Sequence, residues 1–347
     1  MQARAPLLSH ASVTAPGAAS DKLDDLAERL ERMYRSLPAP PNLGPPARRS
    51  NAERCNRIPE GSHVTRLANL AGRAVLVTDE GGVDIERQSQ GRFSADVQAL
   101  YERWDEFLHW AGHFRPPEGD FDYRRLIESE LGSPAPWPRQ VFGIGLNYRD
   151  HAMETGMQLP TRVATFTKFP TCIVGGFHEV ELPEGSVDYE VELVVVMAQR
   201  AHRVADWEAW SCVAGVTVGQ DLSERILQRE AGNQYCLGKS FPGFGPMGPW
   251  LVTPDELTEP DDMALRCTLN GEVMQDGRTS DMVFSVPRLI EELSAVVTLL
   301  PGDVIFTGTP AGVGWVRQPP RFLQPGDVLE STIEGIGTIR NRMLQAS

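Results

Sequence analysis

The stretch VDYEVELVVVMA, residues 187–198, carries the clearest strand pattern of the chain. Side chains alternate along a strand, so Glu190 and Glu192 are predicted to point to the same face. The valine run after Glu192 is typical of a strand that is buried on both faces. Two neighbouring carboxylates in such a place repel each other and lose hydration, which favours a positive charge between them.

A divalent cation is the simplest source of that charge. Carboxylate oxygens bind hard ions, which favours Mg²⁺, Mn²⁺ or Ca²⁺ over zinc. A third ligand is expected, and Asp221 in TVGQDLSERILQ follows a second apolar stretch that could end beside the first strand. The alternative is an edge strand whose acids face solvent. The Glu190/Glu192 doublet alone favours that alternative, whereas the valine run favours the buried metal site.

The composition limits the classes of partner. The chain has 347 residues and a formal net charge of −14, which argues against nucleic acid or an anionic membrane as the main partner. The longest apolar run, residues 193–198, is far shorter than the ~20 residues of a membrane helix. The N-terminus lacks the apolar core of a signal peptide. The cysteines form no CxxC pair, so neither a disulfide framework nor a thiolate zinc site is expected. Because cysteines that stay reduced are typical of the cytoplasm, the predicted location is the cytoplasm.

Changes in composition and in hydrophobic pattern along the sequence predict three segments. Residues 1–50 are expected to be a flexible tail with one amphipathic helix and a Pro-rich linker. Residues 51–136 are predicted to form a small α+β domain, and residues 137–347 a β-rich domain with a few helices. The apolar stripe of the tail helix consists of Leu23, Leu26, Leu30, Met33 and Leu37.

Local patterns predict individual elements. Residues 74–78 and 83–86 are expected to form a hairpin, and a helix capped by Ser94 is expected to run to about Ala111. A second hairpin is predicted at the Asn-Gly pair of LNGEVMQ, and a helix over residues 286–300.

Two residue pairs have a spacing that suits catalysis. His151 and Glu154 lie at i and i+3 in GLNYRDHAMETG, so they can touch on a helix. A carboxylate on one imidazole nitrogen fixes the tautomer, which suits a base that takes a proton from water. Arg225 and Gln228 are one turn apart after Asp221 and could serve an anionic substrate. In isolation the first pair is better explained as a surface pair, and the second could simply cover a helix face.

Lysine is rare in this chain, where only Lys22, Lys168 and Lys239 are lysine among 33 basic residues. A lysine that survives an arginine bias is expected to be needed for its own chemistry. A fixed ammonium can polarise a carbonyl or hold a carboxylate. The structural alternative is a buried lysine that is paired with glutamates.

A Gly-rich turn ends the segment VIFTGTPAGVG, residues 304–314. It follows a predicted strand and exposes Thr307, Thr309 and backbone N–H groups. Such a nest binds carboxylate or phosphate oxygens. It matches neither a Walker loop nor a Rossmann fingerprint, so no nucleotide is predicted here.

A fixed order of motifs connects these candidates. The segments are GLNYRDHAMETG, FTKFP, VDYEVELVVV, GQDLSERILQ, LGKSF, GPMGPWLVT, LNGEVMQDGRTSDMVF, LLPGDVIFTGTPAGVG and LQPGDVLESTIEGIG. They span residues 139–345 and resemble the fumarylacetoacetate hydrolase family, in particular its bacterial acylpyruvase-like members. The resemblance implies a strand-rich α+β fold, with a mixed β-roll catalytic domain and a small α+β N-terminal domain. It also implies a homodimer.

The resemblance further implies a set of site residues around one Mg²⁺ or Mn²⁺ ion, with Ca²⁺ as a further option. The metal ligands of the family fall on Glu190, Glu192 and Asp221. The catalytic residues fall on His151, Glu154 and Lys239. The substrate-binding candidates are Tyr148, Arg225, Gln228 and Thr309.

The activity implied is hydrolysis of the carbon–carbon bond of a 2,4-diketo acid, an acylpyruvate, to pyruvate and a carboxylic acid. Decarboxylation, isomerisation or hydration of a 2-oxo acid is the alternative, because the family carries out each of these reactions. A non-catalytic binding protein with an idle site is a further alternative. The chain departs from the family at Pro242, where the family commonly has aspartate after Gly-Lys-Ser-Phe. Proline removes an acid and a backbone donor close to Lys239, which puts a standard substrate choice in doubt.

Overall fold

The computed structural model describes residues 66–116, 121–230, 232 and 234–346. These residues all belong to the larger of two compact units, Arg57–Ser347. The predicted tail of residues 1–50, with its helix and linker, lies outside the described residues. Within the described ranges, every helix is too short or too polar to span a bilayer.

Strands dominate the fold. In chain order they are β1 (Arg66–Leu70), β2 (Arg73–Thr78), β3 (Gly81–Asp84), β4 (Leu131–Gly132), β5 (Val141–Gly145), β6 (Ala164–Thr167), β7 (Ile173–Gly175), β8 (Val180–Leu182), β9 (Val187–Asp188), β10 (Val191–Met197), β11 (Val213–Gln220), β12 (Ser223–Glu224), β13 (Gly245–Val252), β14 (Ala264–Leu269), β15 (Glu272–Arg278), β16 (Val304–Phe306), β17 (Val328–Ile333) and β18 (Gly337–Gln345). The α-helices are α1 (Ile85–Gln88), α2 (Val97–Leu100), α3 (Trp104–His113), α4 (Arg149–Thr155), α5 (Asp206–Ala209), α6 (Arg225–Glu230), α7 (Tyr235–Gly238) and α8 (Val286–Ser294).

The strands form two main sheets. The larger has the order β3-β2-β1-β13-β11-β10-β16-β5-β6, with β4 joined to β1 and β7 joined to β13. It is mixed, because β16 runs parallel to β5 and β7 parallel to β13, whereas the other pairs are antiparallel. The smaller sheet has the order β15-β14-β17-β18-β8, and β9 pairs with β12 separately. Both main sheets are open, since each ends on different strands.

Strand β10 lies inside the larger sheet because its residues, apart from Glu192, are apolar on both faces. It pairs with β11 on one side and with β16 on the other, and all its residues are buried. Leu193 and Val195 belong to one apolar core, whereas Val194 and Val196 belong to a second core that includes Phe107. The alternation of side chains along this strand therefore separates two cores.

The N-terminal part of the described chain is continuous with the larger sheet. Strands β1, β2 and β3 form an antiparallel meander, as the hairpin pattern predicts. Strand β1 also pairs with β13, with Leu67 opposite Leu251. The domain boundary at residues 136/137 stays a prediction.

The hairpin predicted at the Asn-Gly pair is confirmed. Asn270 and Gly271 connect β14 to β15, and their φ angles are 53° and 83°. Both angles lie in the left-handed region that tight hairpin turns require, and asparagine and glycine are the residues that adopt it at the lowest cost.

Three elements differ from their predicted extent. The single helix expected from Ser94 to about Ala111 begins at Val97, because the Asp96 side chain caps it by accepting from the Gln98 N–H. It is also divided into α2 and α3 by a 3-10 turn at Tyr101–Arg103. The helix expected to reach residue 300 ends at Ser294. Beyond it, Leu299 exchanges backbone hydrogen bonds with Ala201, which a helix would not permit.

The strand expected over residues 187–198 is interrupted at Tyr189 and Glu190. The Glu190 N–H donates to the Gln220 side-chain oxygen over 2.8 Å instead of to a backbone partner. The prediction of one continuous strand that carries Glu190 and Glu192 is therefore wrong, although the two carboxylates still meet.

Candidate active site

Three acidic side chains converge where β10 and β11 pair. Glu192 is the second residue of β10, and Asp221 directly follows β11. The register places Val191 opposite Gln220, and the Asp221 N–H donates to the Glu190 carbonyl over 2.9 Å. One ligand atom from each of the three acids lies within 4.8 Å of the others, and all three residues are buried. Strand pairing thus brings together carboxylates that are distant in sequence.

Two of the three carboxylates are paired with cations. Lys239 Nζ donates to Glu190 Oε2 over 2.6 Å and to Asp221 Oδ2 over 2.5 Å. Arg225 Nη2 lies 2.7 Å from Glu190 Oε1. Burial by itself raises the pKa of Glu190, but the charges of Lys239 and Arg225 outweigh burial and hold that pKa below its usual range. Burial alone would lower the pKa of Lys239, but Asp221 and Glu190 raise it.

Glu192 differs from its two neighbours. Its Oε2 accepts from the Gly308 N–H over 2.8 Å, and it forms no salt bridge within the described part of the chain. Burial, together with the charges of Asp221 and Glu190, raises the pKa of Glu192 well above its usual range. A buried carboxylate that lacks a counter-ion, beside two other carboxylates, fits the ligand set of a hard divalent cation. The triad could therefore hold a divalent metal ion.

Lys168 supports this cluster from behind. Its side chain is fully buried, and Nζ donates to Asp221 Oδ1 over 2.6 Å and to the Phe244 carbonyl over 3.1 Å. It also donates to the backbone carbonyl of Lys239. Lys168 therefore ties Asp221 to the segment that carries Lys239. Both lysines are buried and paired with acids, and Lys239, which pairs with Glu190, fits the structural alternative of a buried lysine paired with glutamate.

Pro242 lies in a tight turn beyond Lys239. The Phe244 N–H donates to the Phe241 carbonyl over 3.0 Å, which places Pro242 and Gly243 at the two central positions. Gly243 has a φ of +81°, as the second central residue of a type II turn requires, and proline is favoured at the first. The turn needs no N–H from Pro242, which is exposed to solvent. The effect of this proline on substrate choice stays a prediction.

His151 and Glu154 form a hydrogen-bonded pair on α4. His151 Nδ1 lies 2.7 Å from Glu154 Oε1, and the second carboxylate oxygen accepts from the Gly312 N–H over 2.9 Å. Because a carboxylate only accepts hydrogen bonds, Nδ1 carries the proton and Nε2 has the free lone pair. The Gly312 contact fixes Glu154, and Glu154 in turn fixes the imidazole ring.

The Gly-rich turn is packed closely against β15. Gly312 has a φ of +110°, and a Cβ at this position would lie 2.1 Å from the Met274 carbonyl oxygen, so only glycine fits. Thr309 lines the adjoining cavity, but its hydroxyl donates to the Val191 carbonyl over 2.9 Å and accepts from Gln275 Nε2 over 2.7 Å. Its role in binding a substrate carboxylate stays a prediction.

Arg225 is held by an acid that the sequence reasoning missed. Arg225 Nε donates to Asp188 Oδ2 over 2.9 Å, and Nη1 lies 3.4 Å from Gln228 Oε1. Asp188 also accepts from the Gly314 N–H over 2.7 Å and from the Trp315 N–H over 3.2 Å. The available signal was its spacing, because Asp188 precedes Glu190 by two residues in a predicted strand.

A cavity of about 330 Å³ opens beside the triad. Among the predicted residues, its wall contains His151, Glu190, Arg225, Gln228, Lys239 and Thr309. The rest of the wall consists of Ile144, Gly145, Leu146, Thr155, Met157, Phe166, Arg229, Tyr235 and Trp315. The predicted base, one predicted metal ligand and the predicted catalytic lysine thus face the same space.

Tyr148 is placed differently from the other substrate-binding candidates. It is fully buried, and it is not part of the cavity wall. Its hydroxyl has no hydrogen-bond partner among the described residues. Burial, reinforced by the charges of Glu192 and Asp150, raises the pKa of Tyr148 well above its usual range. Its contact with substrate stays a prediction.

Known proteins are similar to this chain in sequence and in fold. Residues 140–344 match the model of the fumarylacetoacetate hydrolase C-terminal family. The chain belongs to this family. In the crystal structure of a candidate HpcE protein from Mycobacterium smegmatis, the family fold superposes with a TM-score of 0.77 at 51% identity, covering 81% of this chain and 100% of that chain.

Two further members of the fumarylacetoacetate hydrolase family have named activities. A mitochondrial oxaloacetate tautomerase of Homo sapiens is 44% identical over 215 residues, which cover 61% of this chain and 68% of the relative. Maleylpyruvate hydrolase from Sphingobium sp. SYK-6, in complex with manganese(II) and pyruvate, is 26% identical with a TM-score of 0.63, covering 81% of this chain and all of that one. The predicted family and strand-rich α+β fold are confirmed, and these relatives are enzymes. The homodimer and the cytoplasmic location stay predictions.

Proposed function

We propose that this protein is a metal-dependent hydrolase that cleaves the carbon–carbon bond of a 2,4-diketo acid, giving pyruvate and a carboxylic acid. The observation that carries the proposal is the position of His151. It is oriented by Glu154 and lines the same cavity as Glu190 and Lys239. Hydrolysis needs a base beside the substrate carbonyl that water attacks and a positive charge beside its oxygen. His151 and Lys239 in the wall of this cavity could supply them.

Glu190, Glu192 and Asp221 would hold the metal ion, for which Mg²⁺ and Mn²⁺ are the candidates. A hard divalent ion supplies Lewis acidity, which draws electron density from a 2-oxo acid and favours departure of the pyruvate fragment as an enolate. The relative that binds manganese and pyruvate supports this choice. The acids of this chain contribute the negative charge that such an ion needs, with Glu192 as the carboxylate that has no salt bridge among the described residues.

His151 would act as the general base through Nε2, because Nδ1 is already bonded to Glu154. It would take a proton from the water that attacks the carbonyl remote from the 2-oxo acid. Glu154 would stabilise the imidazolium that results, while the Gly312 N–H keeps the carboxylate in place. The proton would then pass to the carbon of the departing enolate.

Lys239 would stabilise the oxyanion of the tetrahedral intermediate. An ammonium has three N–H donors, and Glu190 and Asp221 accept from two of them. The third would be available to an oxygen in the cavity, whose wall includes Lys239. Because both acids fix Nζ in advance, the donor would need no reorganisation during the reaction.

Tautomerisation of a 2-oxo acid is the second candidate. The human relative named as an oxaloacetate tautomerase supports it. The same His151–Glu154 pair could move a proton between the carbon next to the oxo group and solvent, and no water would have to attack. The two reactions differ in product, because only hydrolysis breaks the carbon chain.

The test is a panel of acylpyruvates and oxaloacetate, incubated with the protein and Mg²⁺ and analysed by mass spectrometry. Hydrolysis predicts pyruvate and a carboxylic acid from the acylpyruvate, loss of turnover in chelator, and recovery on addition of Mg²⁺. His151→Ala should lower hydrolysis by about 10²–10⁴-fold while metal binding, measured by calorimetry, is retained. The exposed His109 provides the matched control, His109→Ala, which should keep full activity.

Two results would contradict the proposal. If His151→Ala cleaves the acylpyruvate at the parent rate, His151 is not the base. If the parent protein interconverts the tautomers of oxaloacetate but leaves every acylpyruvate intact, the second candidate replaces the first.

A further inference from the structure

The cavity wall contains three cationic side chains with different partners, Arg225, Arg229 and Lys239. Arg225 pairs with Asp188 and Glu190, and Lys239 pairs with Glu190 and Asp221. Arg229 forms no ion pair with any acid in the described ranges, and its guanidinium instead lies over the Trp315 ring, 5.3 Å from the centroid. An anion that enters the cavity thus finds one cation that is not already neutralised.

Trp315 gives this guanidinium a defined position. The backbone N–H of Trp315 donates to Asp188 Oδ2 over 3.2 Å, and the same oxygen accepts from Arg225. The backbone of Trp315, and with it the position from which the indole projects, is therefore tied to the charge network of the site. An arginine stacked on an aromatic ring keeps the N–H groups at the edge of its plane available, so it can still bind a carboxylate through two hydrogen bonds.

Solvent exposure increases along α6, and this increase indicates where Arg229 lies in the cavity wall. The Arg225 side chain is 11% exposed, Gln228 is 5% exposed, and Arg229 is open to solvent. Arg225 contacts Glu190 of the acidic triad, whereas Arg229, one turn later, does not. Arg229 therefore lies towards the mouth, at the end of the cavity that is remote from the triad.

A second donor lies beside Arg229. Gln228 Nε2 is buried and has no hydrogen-bond partner in the part of the chain that the structure describes, while its oxygen faces Arg225 Nη1 at 3.4 Å. Burying an amide nitrogen without an acceptor costs free energy. Adjacent residues on the wall thus offer two donor groups, one of them charged, and an ionised carboxylate, which only accepts hydrogen bonds, matches them.

We propose that Arg229, supported by Trp315 and next to Gln228, forms a subsite for a second carboxylate of the substrate. This inference rests on the proposed function, in which the 2-oxo acid end of the substrate lies at the triad. The preferred substrates are then dianionic 2-oxo acids that carry a carboxylate at the far end of a short carbon chain. Met157, Phe166 and Tyr235 contribute largely apolar side chains to the same cavity wall.

The test compares two unreactive 2-oxo acids that differ only at the far end, 2-oxoadipate with a carboxylate and 2-oxohexanoate with a methyl group. Their dissociation constants are measured by calorimetry on the full chain loaded with Mg²⁺. The subsite predicts that the parent protein binds 2-oxoadipate at least about tenfold more tightly, as expected of one charge-assisted contact. Arg229→Gln should bring the ratio of the two constants close to one, and Arg229→Lys should give an intermediate ratio.

Arg200→Gln is the matched control, because Arg200 is an exposed arginine outside the cavity wall. It should keep the parent ratio. A ratio near one in the parent protein, or an unchanged ratio in Arg229→Gln, would overturn the subsite. Turnover of acylpyruvates is measured in parallel. A parent protein that cleaves none of them but still prefers 2-oxoadipate would overturn the proposed reaction and leave the subsite supported.

Discussion

Two regions of this molecule are equally buried but chemically opposite. The core around α3 contains Phe93, Trp104 and Phe107, each at most 3% exposed, with ring centroids 5.2–5.9 Å apart. At the ends of β10 and β11, Glu192 and Asp221 are at most 1% exposed, yet they are carboxylates. The first region stabilises the fold through apolar burial. The second costs desolvation free energy that its ion pairs only partly offset.

Because burial of these charges costs free energy, a contribution to stability does not by itself account for the charge cluster. Its four acids are Asp188, Glu190, Glu192 and Asp221, and its three bases are Lys168, Arg225 and Lys239. With all four acids ionised, the cluster carries one excess negative charge, which a divalent ion would convert into one excess positive charge. A cluster with that charge attracts the carboxylate of a 2-oxo acid, so ligand binding would complete the neutralisation.

Substitution of Glu192 is expected to change turnover strongly and stability little, which would distinguish the charge cluster from the aromatic core. Glu192→Gln removes a ligand charge, so turnover with Mg²⁺ should fall by about 10³–10⁴-fold and calorimetry should show weaker metal binding. In chelator, the same variant should unfold at the parent temperature or above it, because a buried carboxylate without a salt bridge among the described residues has been neutralised.

Glu181→Gln serves as the control for Glu192→Gln, since Glu181 is the exposed middle residue of β8. It should leave both turnover and unfolding temperature unchanged. A Glu192→Gln protein that loses stability in chelator as strongly as it loses activity would mean that the cluster stabilises the fold, and the contrast between the two regions would fail.

The sequence was sufficient to predict the triad, but not the surroundings of each acid. The alternation around Glu192 predicted two carboxylates on one face of a strand, and the apolar stretch before Asp221 predicted a third carboxylate beside them. The order of motifs then identified the family. The alternation and the turn patterns are local signals that depend on the period of a strand, whereas the order of motifs extends over residues 139–345.

The details that the sequence did not predict depend on contacts between distant segments. The break at Tyr189 arises because Gln220, thirty residues later, takes over the Glu190 N–H. The stacking of Arg229 on Trp315 joins α6 to the turn after β16. No repeat in the sequence relates Glu190 to Gln220 or Arg229 to Trp315. A different packing of the same segments would have paired other side chains, so these contacts could not be predicted from the sequence.

The second prediction concerns the apolar region. Phe107 is fully buried between Phe93, Trp104 and Trp110, so Phe107→Ala leaves a cavity and should lower the free energy of unfolding by about 3–5 kcal/mol. Urea denaturation measures the loss. Turnover per folded molecule should stay near the parent value, because Phe107 is not part of the cavity wall.

Trp207→Ala is the control for Phe107→Ala, because Trp207 is 79% exposed. Its effect should be within about 0.5 kcal/mol. If Phe107→Ala instead abolished turnover at temperatures where it is fully folded, the aromatic core would take part in shaping the site, and the two regions could not be treated separately.

The smallest change in the free energy of unfolding is expected at the ion pair between Arg73 and Asp84. This pair is charged like the cluster but is partly exposed to solvent. Arg73 donates two hydrogen bonds to Asp84, over 2.8 and 3.1 Å, and these bonds hold the pKa of Asp84 below its usual range. The stabilisation is therefore present above the unfolded-state pKa of about 4 and is lost as the pH falls through the lower pKa of the folded state. Because the Arg73 side chain is 37% exposed, Arg73→Gln should cost only about 0.5–1 kcal/mol near neutral pH.

The same urea titration, repeated at about pH 3, should show a smaller loss for Arg73→Gln, because the stabilisation by ionised Asp84 declines once the pH is below the unfolded-state pKa of about 4. Asp84→Asn is the companion variant: its side-chain oxygen can still cap α1 by accepting from the Arg87 N–H, so it removes the charge and keeps the cap. An equal loss at both pH values would assign the contribution of Arg73 to packing of its alkyl chain. The charge of Arg73 would then make no contribution to the free energy of unfolding. Of the two charged regions, only the buried cluster would link its charge to a property of the protein, the binding of a metal ion.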